Sequence, residues 1–477
     1  MRLPILPGSL HLLLSSLLWP EPHRQSTSSL LSPTVADIQP PSDATPAALT
    51  FHLRHLHAIT DSGRNVFTDV ALEHRAADDL GVEEPQTRFR GSRKEDWRLV
   101  ANGHQNTEFG FTIPTTRLNT HKPSSFTAFQ ATRALIANGT RRPDHWARHH
   151  VDSNAQADKD ADFSRFGWEL DEIDAPRVEK RQTLVQLAKM TFDSFYEGSE
   201  GHQDWYELDE FWKKNLPFGW SPERGLRGQI FVASDNSTVV IAFKGTSAPW
   251  IVGGEGGPTQ VEDKLNNNLL FSCCCARIGP TWSPVCGCWK GDNKCDNECL
   301  ERALVEEKLF YPIGMRLYNK VSYMYPDANI WLTGHSLGGS LASLLGVTFG
   351  APTVTFEAPG DKLAARRLHL PTPPSTQHII QVYHTGDPVP VGACTGVFSL
   401  CAIGGYAIET KCHLGEVIKY DTVQRKGWSV SIRNHPIQIL IDSVLNEEWD
   451  PTGEREVPVP EAEQDCLECN EWVFEGA

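Results

Sequence analysis

The chain of 477 residues predicts an α/β domain on a mostly parallel sheet, and two observations carry that reading. From Leu184 onward, short apolar runs alternate with segments whose apolar residues recur at helical spacing. The apolar run "NIWLTG", Asn329 to Gly334, then passes through a glycine-flanked serine straight into "LASLLG", a strand-turn-helix layout with Ser336 at the turn.

The elements follow in order. Residues 1–24 hold the apolar stretch "LPILPGSLHLLLSSLLWP" behind Arg2, which reads either as a cleaved signal peptide or as a retained signal anchor. Pro4, Pro7, Gly8 and His11 interrupt it, whereas a spanning helix takes about 20 apolar residues. Residues 25–50, rich in Ser, Pro and Thr, read as a flexible stalk. Residues 51–183 form an N-terminal extension in which "FHLRHLHAIT", "RNVFTDV" and "FGFTIPTT" read as strands, while Thr120 to Arg181 is polar and aperiodic and is expected to be an insertion or loop. The α/β domain spans 184–447. It starts with a helix from Leu184 to Glu197, then two strands, "GQIFVAS" and "TVVIAFKGT", around a turn at Asp235 and Asn236. A helix from Glu301 to Tyr325, the serine turn, a helix to Thr348 and the strands "TVTFEAP" and "IIQVYHTGDPV" follow. The β-rich "CHLGEVIKYD" and "WSVSIRN" lead into the helix "HPIQILIDSVLN", and residues 448–477 read as a peripheral acidic tail.

A formal net charge of −16 without clustered Lys and Arg argues against a nucleic-acid partner. Twelve cysteines, most of them between Cys273 and Cys299, favour disulfides and an oxidising compartment. Zinc is the rival, since Cys286, Cys288, Cys295 and Cys299 could supply four thiolates, although C-x-C and C-x3-C fit no common zinc module. Seven cysteines lie in the block, an odd number, so at least one pairs outside it or stays free. No later run reaches spanning length, so the remainder is expected to be luminal, with Asn138 in "NGT" and Asn236 in "NST" as candidate glycosylation sites.

Ser336 is the candidate nucleophile. A serine on so sharp a turn needs nearly side-chain-free positions two before and two after it, and Gly334 and Gly338 supply them. A serine nucleophile needs a base and the base an orienting carboxylate, in the chain order Ser, acid, His when the scaffold is of the α/β-hydrolase type. Asp387, in "IIQVYHTGDPVP", is the first downstream carboxylate after a convincing strand, and His435, in "WSVSIRNHPI", stands at a strand-to-helix junction. Asp361 fits a helix N-cap better, and His384 and His413 fit ordinary structural histidines. The oxyanion hole takes the N–H of Leu337 and that of Thr246, in the loop after "TVVIAF"; Lys244 reads as a solvated strand-end charge. None of this chemistry calls for a metal or a cofactor.

Together "FKGT", "GHSLGGSLASLLG", "HTGDPVP" and "NHPI" resemble the class 3 lipases, the fungal triacylglycerol lipase group of α/β hydrolases, over roughly Leu184 to Leu445. The Cys-rich "NNLLFSCCCARIGPTW", the N-terminal apolar segment and "CHLGEVIKYD" are similar to the autophagy-related vacuolar lipases of fungi. The resemblance implies an α/β-hydrolase fold with a Cys-rich lid insertion at 273–299 and an N-terminal β-containing extension. It also implies a triad of Ser336, Asp387 and His435, with Thr246 and Leu337 at the oxyanion hole. The implied partners are lipid esters at a membrane surface, both triacylglycerols and phospholipids, phosphoinositides among them. The implied location is a single-pass type II membrane protein that passes through multivesicular bodies to the vacuole and breaks down autophagic bodies there. Disulfides are expected to stiffen the lid, and Leu269, Leu270, Phe271 and Trp282 either meet lipid or fill core. Two other readings use the same residues: a secreted carboxylesterase on soluble or cell-wall esters, and a noncatalytic lipid-binding membrane protein.

Overall fold

The computed structural model describes residues 48–53, 55–59, 65–69, 111–139, 167–197, 206, 218–220, 225–233, 236–247, 259–278, 283–370, 378–450 and 452–475. The segment 1–24, most of the stalk, Asp235 and Trp282 lie outside them. No helix among the described residues is long and apolar enough to cross a membrane.

The N-terminal part contributes β1 (Ala48–Leu53), the hairpin of β2 (His55–Ile59) and β3 (Asn65–Asp69), β4 (Phe111–Pro123), helix α1 (Phe126–Gly139) and β5 (Trp168–Pro176). Helix α2 (Arg181–Asp193), β6 (Gly228–Ala233), β7 (Thr238–Phe243) and α3 (Gln260–Leu270) follow. The Cys-rich region holds β8 (Trp289–Gly291), β9 (Lys294–Asp296) and α4 (Asn297–Leu304) before α5 (Phe310–Met324). Then come β10 (Asn329–His335), α6 (Leu337–Phe349), β11 (Thr353–Phe356), α7 (Lys362–Arg367), β12 (Ile379–His384), α8 (Leu400–Ile403) and β13 (Glu416–Tyr420). Helices α9 (Thr422–Lys426) and α10 (Ile437–Leu440) and strands β14 (Glu461–Ala462) and β15 (Val473–Glu475) complete the set.

Ten strands form one sheet in the order β14-β13-β12-β11-β10-β7-β6-β1-β4-β5. The central five, β7 and β10 to β13, run parallel, and the flanking pairings are antiparallel. Parallel strands covered on both faces should be apolar throughout, and β7 and β12 are buried at every residue. The two-residue period sends Val239, Ile241, Ile330 and Leu332 to the side of α5 and α6, and Val240, Trp331, Val354 and Ile380 to the side of α2 and α10. Helix α6 is buried along its whole length, which its run of small and aliphatic residues allows. Each Leu so buried contributes roughly 2 kcal/mol.

Four expectations need correction. Thr120 to Arg181 is not a loop throughout: its described residues complete β4 and supply α1 and β5, which pairs with β4 over Thr115–Pro123, and residues 140–166 lie outside the described residues. The ribbon hides its periodicity because both of its faces carry ion pairs between the strands, Lys122 with Asp171 on one and Arg117 with Glu172 on the other, while only a few residues such as Thr120, His121 and Trp168 are buried. The helix foreseen from Glu301 to Tyr325 is two, broken between Leu304 and Phe310, the first begun by the Asp296 carboxylate accepting from the Cys299 N–H at 2.9 Å. "WSVSIRN" forms no strand but a single 3-10 turn at Ile432–Asn434, and the final helix passes from α10 into a π turn at Ile441–Leu445. The acidic tail is integral rather than peripheral. Its β14 extends the main sheet beside β13, its β15 pairs with β9, and disulfides Cys412–Cys466 and Cys273–Cys469 tie it down.

All twelve cysteines are paired. Cys274–Cys295, Cys275–Cys286 and Cys288–Cys299 close within the block, Cys394–Cys401 closes a loop after β12, and Cys273 leaves the block for the tail, which resolves the odd count. The four thiolates that zinc would require are therefore consumed.

Candidate active site

The sheet positions the site at the carboxyl ends of β10, β11 and β12. Strand β10 ends one residue before Ser336, whose backbone sits at φ 54 and ψ −125 before α6 begins at Leu337. A serine takes that left-handed geometry at a cost, met here by close packing on both sides of the turn. A Cβ at Gly334 would stand 2.3 Å from the Gly338 carbonyl oxygen, and one at Gly338 would stand 2.4 Å from that of Phe243. Both glycines are thus required by backbone contact. The Ser336 N–H donates to the Phe356 carbonyl of β11 at 3.0 Å, which fixes the turn to the sheet.

Three side chains predicted far apart in sequence meet here. The Ser336 hydroxyl lies 2.9 Å from His435 Nε2, and His435 Nδ1 lies 2.6 Å from Asp387 Oδ2. With the Nδ1–H tautomer, the imidazole donates to Asp387 and accepts from Ser336. Asp387 and His435 are fully buried and Ser336 is 3% exposed. Asp387 Oδ1 also accepts from the Val389 N–H at 2.9 Å. Burial pushes the Asp387 carboxyl up, but the charge and hydrogen bond of His435, with further donors, hold it below the ordinary value.

Two histidines adjoin this row. His335 Nε2 donates to the His435 carbonyl at 2.9 Å, and burial, then the neighbouring His435, push its imidazole down to about 3, so it stays neutral. His384 Nε2 donates to the Asn434 carbonyl at 3.0 Å while its Nδ1 accepts from the Gly386 N–H at 3.1 Å, and burial lowers it as well. His384 thereby links the loop carrying Asp387 to the loop carrying His435. It is the structural histidine expected, as is His413, which bonds Glu463 and the Ala358 carbonyl. His435 itself follows the 3-10 turn and not a strand.

The oxyanion candidates flank the serine. Leu337 opens α6, so its N–H is one of the first-turn donors without an intrahelical acceptor. Thr246 follows β7 in a loop pressed against the elbow, where a Cβ on Gly245 would meet the His335 carbonyl oxygen at 2.7 Å. Its hydroxyl accepts from Asn267 Nδ2 of α3 at 2.7 Å. Lys244 is not a solvated charge: it is buried, donates to the Gly245 carbonyl at 2.9 Å and to Ser247 Oγ, and stands 3.9 Å from Asp263. Asp263 in turn accepts from the Ser247 N–H at 2.8 Å, so the Thr246 loop and α3 are fastened together by a buried pair. Burial lowers the Lys244 ammonium and raises the Asp263 carboxyl.

Other candidates fall elsewhere. Asp361 precedes α7 but does not cap it. Its carboxylate accepts from the Leu414 N–H at 2.8 Å and from Gln381 at 2.9 Å because it is turned into the sheet. Leu269, Leu270 and Phe271 are core residues. Among the described residues, the exposed apolar side chains include a group of three, Phe398 at 92%, Ile403 at 72% and Leu400 at 57%, in the loop that leaves Asp387 and is bridged by Cys394–Cys401. Residues 388–408 of that loop contain no charged side chain. Asn236 is exposed at a φ of 60 in the β6–β7 turn, and Asn138 falls in the last turn of α1, its side chain outside the described residues.

Sequence comparison meets this geometry from another side. A family model described as lipase (class 3) matches residues 315–394, from α5 through the serine turn to just past Asp387. A relative named "Putative lipase ATG15" from Cryptococcus neoformans var. neoformans serotype D is 51% identical over 292 residues, 60% of this chain and 55% of the relative. Its namesake from Mycosarcoma maydis is 45% identical over 332 residues, 67% of this chain and 62% of the relative. The chain is thus similar to class 3 lipases over its serine turn and to these relatives over a longer stretch. It spans between half and two thirds of the length of those relatives. Among solved structures it is similar to Lip2 lipase from Yarrowia lipolytica, at 16% identity and a TM-score of 0.28 over 50% of this chain and 78% of the other. The native Rhizomucor miehei lipase propeptide complex gives 15% and 0.27 over 52% and 71%.

Proposed function

We propose that the protein is a class 3 lipase, a serine hydrolase of lipid esters acting on triacylglycerols and on membrane phospholipids. The observation that carries the reading is the row Ser336, His435, Asp387, hydrogen-bonded at 2.9 and 2.6 Å at a strained strand-to-helix turn. Ser336 Oγ attacks the ester carbonyl as His435 Nε2 takes its proton, and Asp387 steadies the resulting imidazolium. The N–H groups of Leu337 and Thr246 receive the developing oxyanion, each such donor being worth about 3 kcal/mol in the transition state. The imidazolium returns the proton to the departing alcohol, and water repeats the sequence on the acyl-enzyme to release the fatty acid. Every proton is handled by this row, which calls for no cofactor.

Lipid as the substrate class is supported by the names of the relatives as lipases and by the uncharged loop 388–408 with its exposed Phe398, Leu400 and Ile403. The loop follows Asp387 directly in the chain, so the segment that carries the proposed triad acid also carries an apolar surface. Six disulfides fit an oxidising lumen, and the apolar segment 1–24 offers the route into it. The proposed setting is accordingly the secretory route toward the vacuole, with vesicle membranes as the bulk substrate and the exposed Asn236 carrying a glycan.

The test is fatty-acid release by the full chain from triolein emulsions and from phosphatidylcholine vesicles, beside Ser336→Ala. The proposal expects release from both, reduced by at least about 10⁴-fold in the variant. Cleavage of soluble short-chain esters alone would replace it with a soluble-ester esterase, and equal activity of the variant would overturn the serine mechanism.

A further inference from the structure

One residue past β11, between the strands that carry Ser336 and Asp387, stands a glutamate that the proposed chemistry does not use. Glu357 is fully buried and holds φ at 49, a left-handed backbone that favours glycine. Its main chain is fixed on both sides. The Glu357 N–H donates to the Val382 carbonyl at 2.9 Å, and the preceding Phe356 carbonyl accepts from the Ser336 N–H. One side-chain oxygen, Oε1, accepts from the His384 N–H at 3.1 Å. The other, Oε2, is sealed from solvent without a donor, and the carboxyl lies within hydrogen-bonding range of Asp387.

Two buried carboxyl groups in that relation form a hydrogen bond only if one keeps its proton. Asp387 already accepts from His435 Nδ1 and from the Val389 N–H, which suits the anion. Nothing comparable stabilises a charge on Glu357. His384, 3.8 Å away, is held neutral by its own bonds to the Asn434 carbonyl and the Gly386 N–H. Tyr383 on β12 is uncharged, His413 is turned to Glu463 and the Ala358 carbonyl, and His335 and His435 act on Glu357 only across Asp387. Burial first, and then the Asp387 charge and hydrogen bond, raise the Glu357 carboxyl well above its ordinary value.

We propose that Glu357 is a positioning residue, a protonated carboxylic acid that donates from Oε2 to Asp387 and so gives the candidate triad acid a further donor. The proposal rests on the serine-hydrolase reading of the site. The donor draws charge from Asp387, so the Asp387–His435 pair releases its proton more readily and hydrolysis persists to lower pH. A carboxylate at position 357 would do the reverse.

The experiment compares Glu357→Gln and Glu357→Leu with the wild-type full chain, reading kcat/KM against pH on a soluble short-chain ester. Glutamine keeps the shape and a donor, so the acidic limb of its profile stays in place. Leucine removes the donor, lowers kcat/KM by about tenfold and moves the acidic limb up by about one pH unit. A glutamine variant whose acidic limb moves down, as loss of a negative charge would produce, overturns the proposal, as does a leucine variant with an unmoved limb. A second readout needs neither turnover nor a folded leucine variant. The infrared difference between wild type and Glu357→Gln at neutral pH is expected to contain the carbonyl stretch of a protonated carboxylic acid, and its absence overturns the proposal. Because that spectrum is independent of hydrolysis, it separates failure of this assignment from failure of the serine-hydrolase reading, which the Ser336→Ala comparison decides.

Discussion

Ser336 and Glu357 share a left-handed backbone at adjacent strand ends, and many side chains below them are ionisable groups removed from water. Burial raises the carboxyls of Asp193, Glu357 and Asp361, and His413 is raised because its Glu463 partner outweighs its own burial cost. Such groups hold protons in the folded chain that the unfolded chain has released, so their contribution is lost as pH rises through their folded values. For His413 that window opens at its unfolded value of 6.5. His335 and His378, pushed down by burial to about 3 and about 4, act in the opposite sense only below 6.5, where the unfolded chain takes up protons that the folded one refuses. Above pH 6.5 these histidines no longer oppose His413, each pKa unit traversed being worth about 1.4 kcal/mol. The thermal midpoint is therefore expected to fall from pH 6.5 to pH 8, and to fall less in His413→Gln. A midpoint that rises over that interval contradicts this account. Ser336 and Asp387 were legible in the sequence because they follow apolar strands, and His435 because chain order singles it out, although a 3-10 turn and not a strand precedes it. Glu357, although visible in "TVTFEAP" as an acid at a strand end, was not, because its meaning lies in a neighbour brought up by β12.

Among the elements, β7, β10, β11 and β12 announced themselves as apolar runs because both faces of a parallel sheet are covered. The start of β4 showed in "FGFTIPTT", but its second half and β5 did not, since ion pairs on both faces dilute the alternation, and the break between α4 and α5 follows from a turn that hydrophobic spacing alone does not register. The residues proposed to meet lipid show the same limit. Leu269 to Phe271 are as apolar as any exposed loop but end up in the core, whereas the loop bridged by Cys394–Cys401 carries Phe398, Leu400 and Ile403 outward. Replacing both Phe398 and Ile403 with Asp should lower hydrolysis of emulsified triolein by about tenfold or more, with two large apolar groups and two charges moved at the surface. Cleavage of a soluble short-chain ester should stay within about twofold, because Phe398 and Ile403 stand out in solvent whereas the reacting side chains are buried. Equal losses on both substrates would assign the loop to support of the site rather than to contact with lipid.

Across the whole molecule, segments that read as appendages belong to the architecture. Strands β1, β4 and β5 of the N-terminal extension and β14 of the tail join the same sheet as the candidate site, and Cys273–Cys469 closes a sequence separation of 196 residues. A loop of that size is worth up to about 5 kcal/mol in the chain-entropy view, which helps to hold a tail too polar to pack by burial alone. Parity of the cysteine block foretold that at least one cysteine would leave it or stay free, but composition gave no register for β14 or β15. The parallel half of the sheet and the row of three side chains were thus readable from local pattern and chain order. The pairing of the antiparallel half, as distinct from strands such as "GQIFVAS", and the place of the tail were not, because long-range contacts and disulfides set them. The central claim is that this framework makes Ser336 a nucleophile, and the most direct measurement is the site of covalent labelling by a fluorophosphonate, read by mass spectrometry on the intact chain and its peptides. One label per chain on the peptide carrying Ser336, lost in His435→Gln, is the predicted result. No label on Ser336, or undiminished labelling without His435, would contradict it.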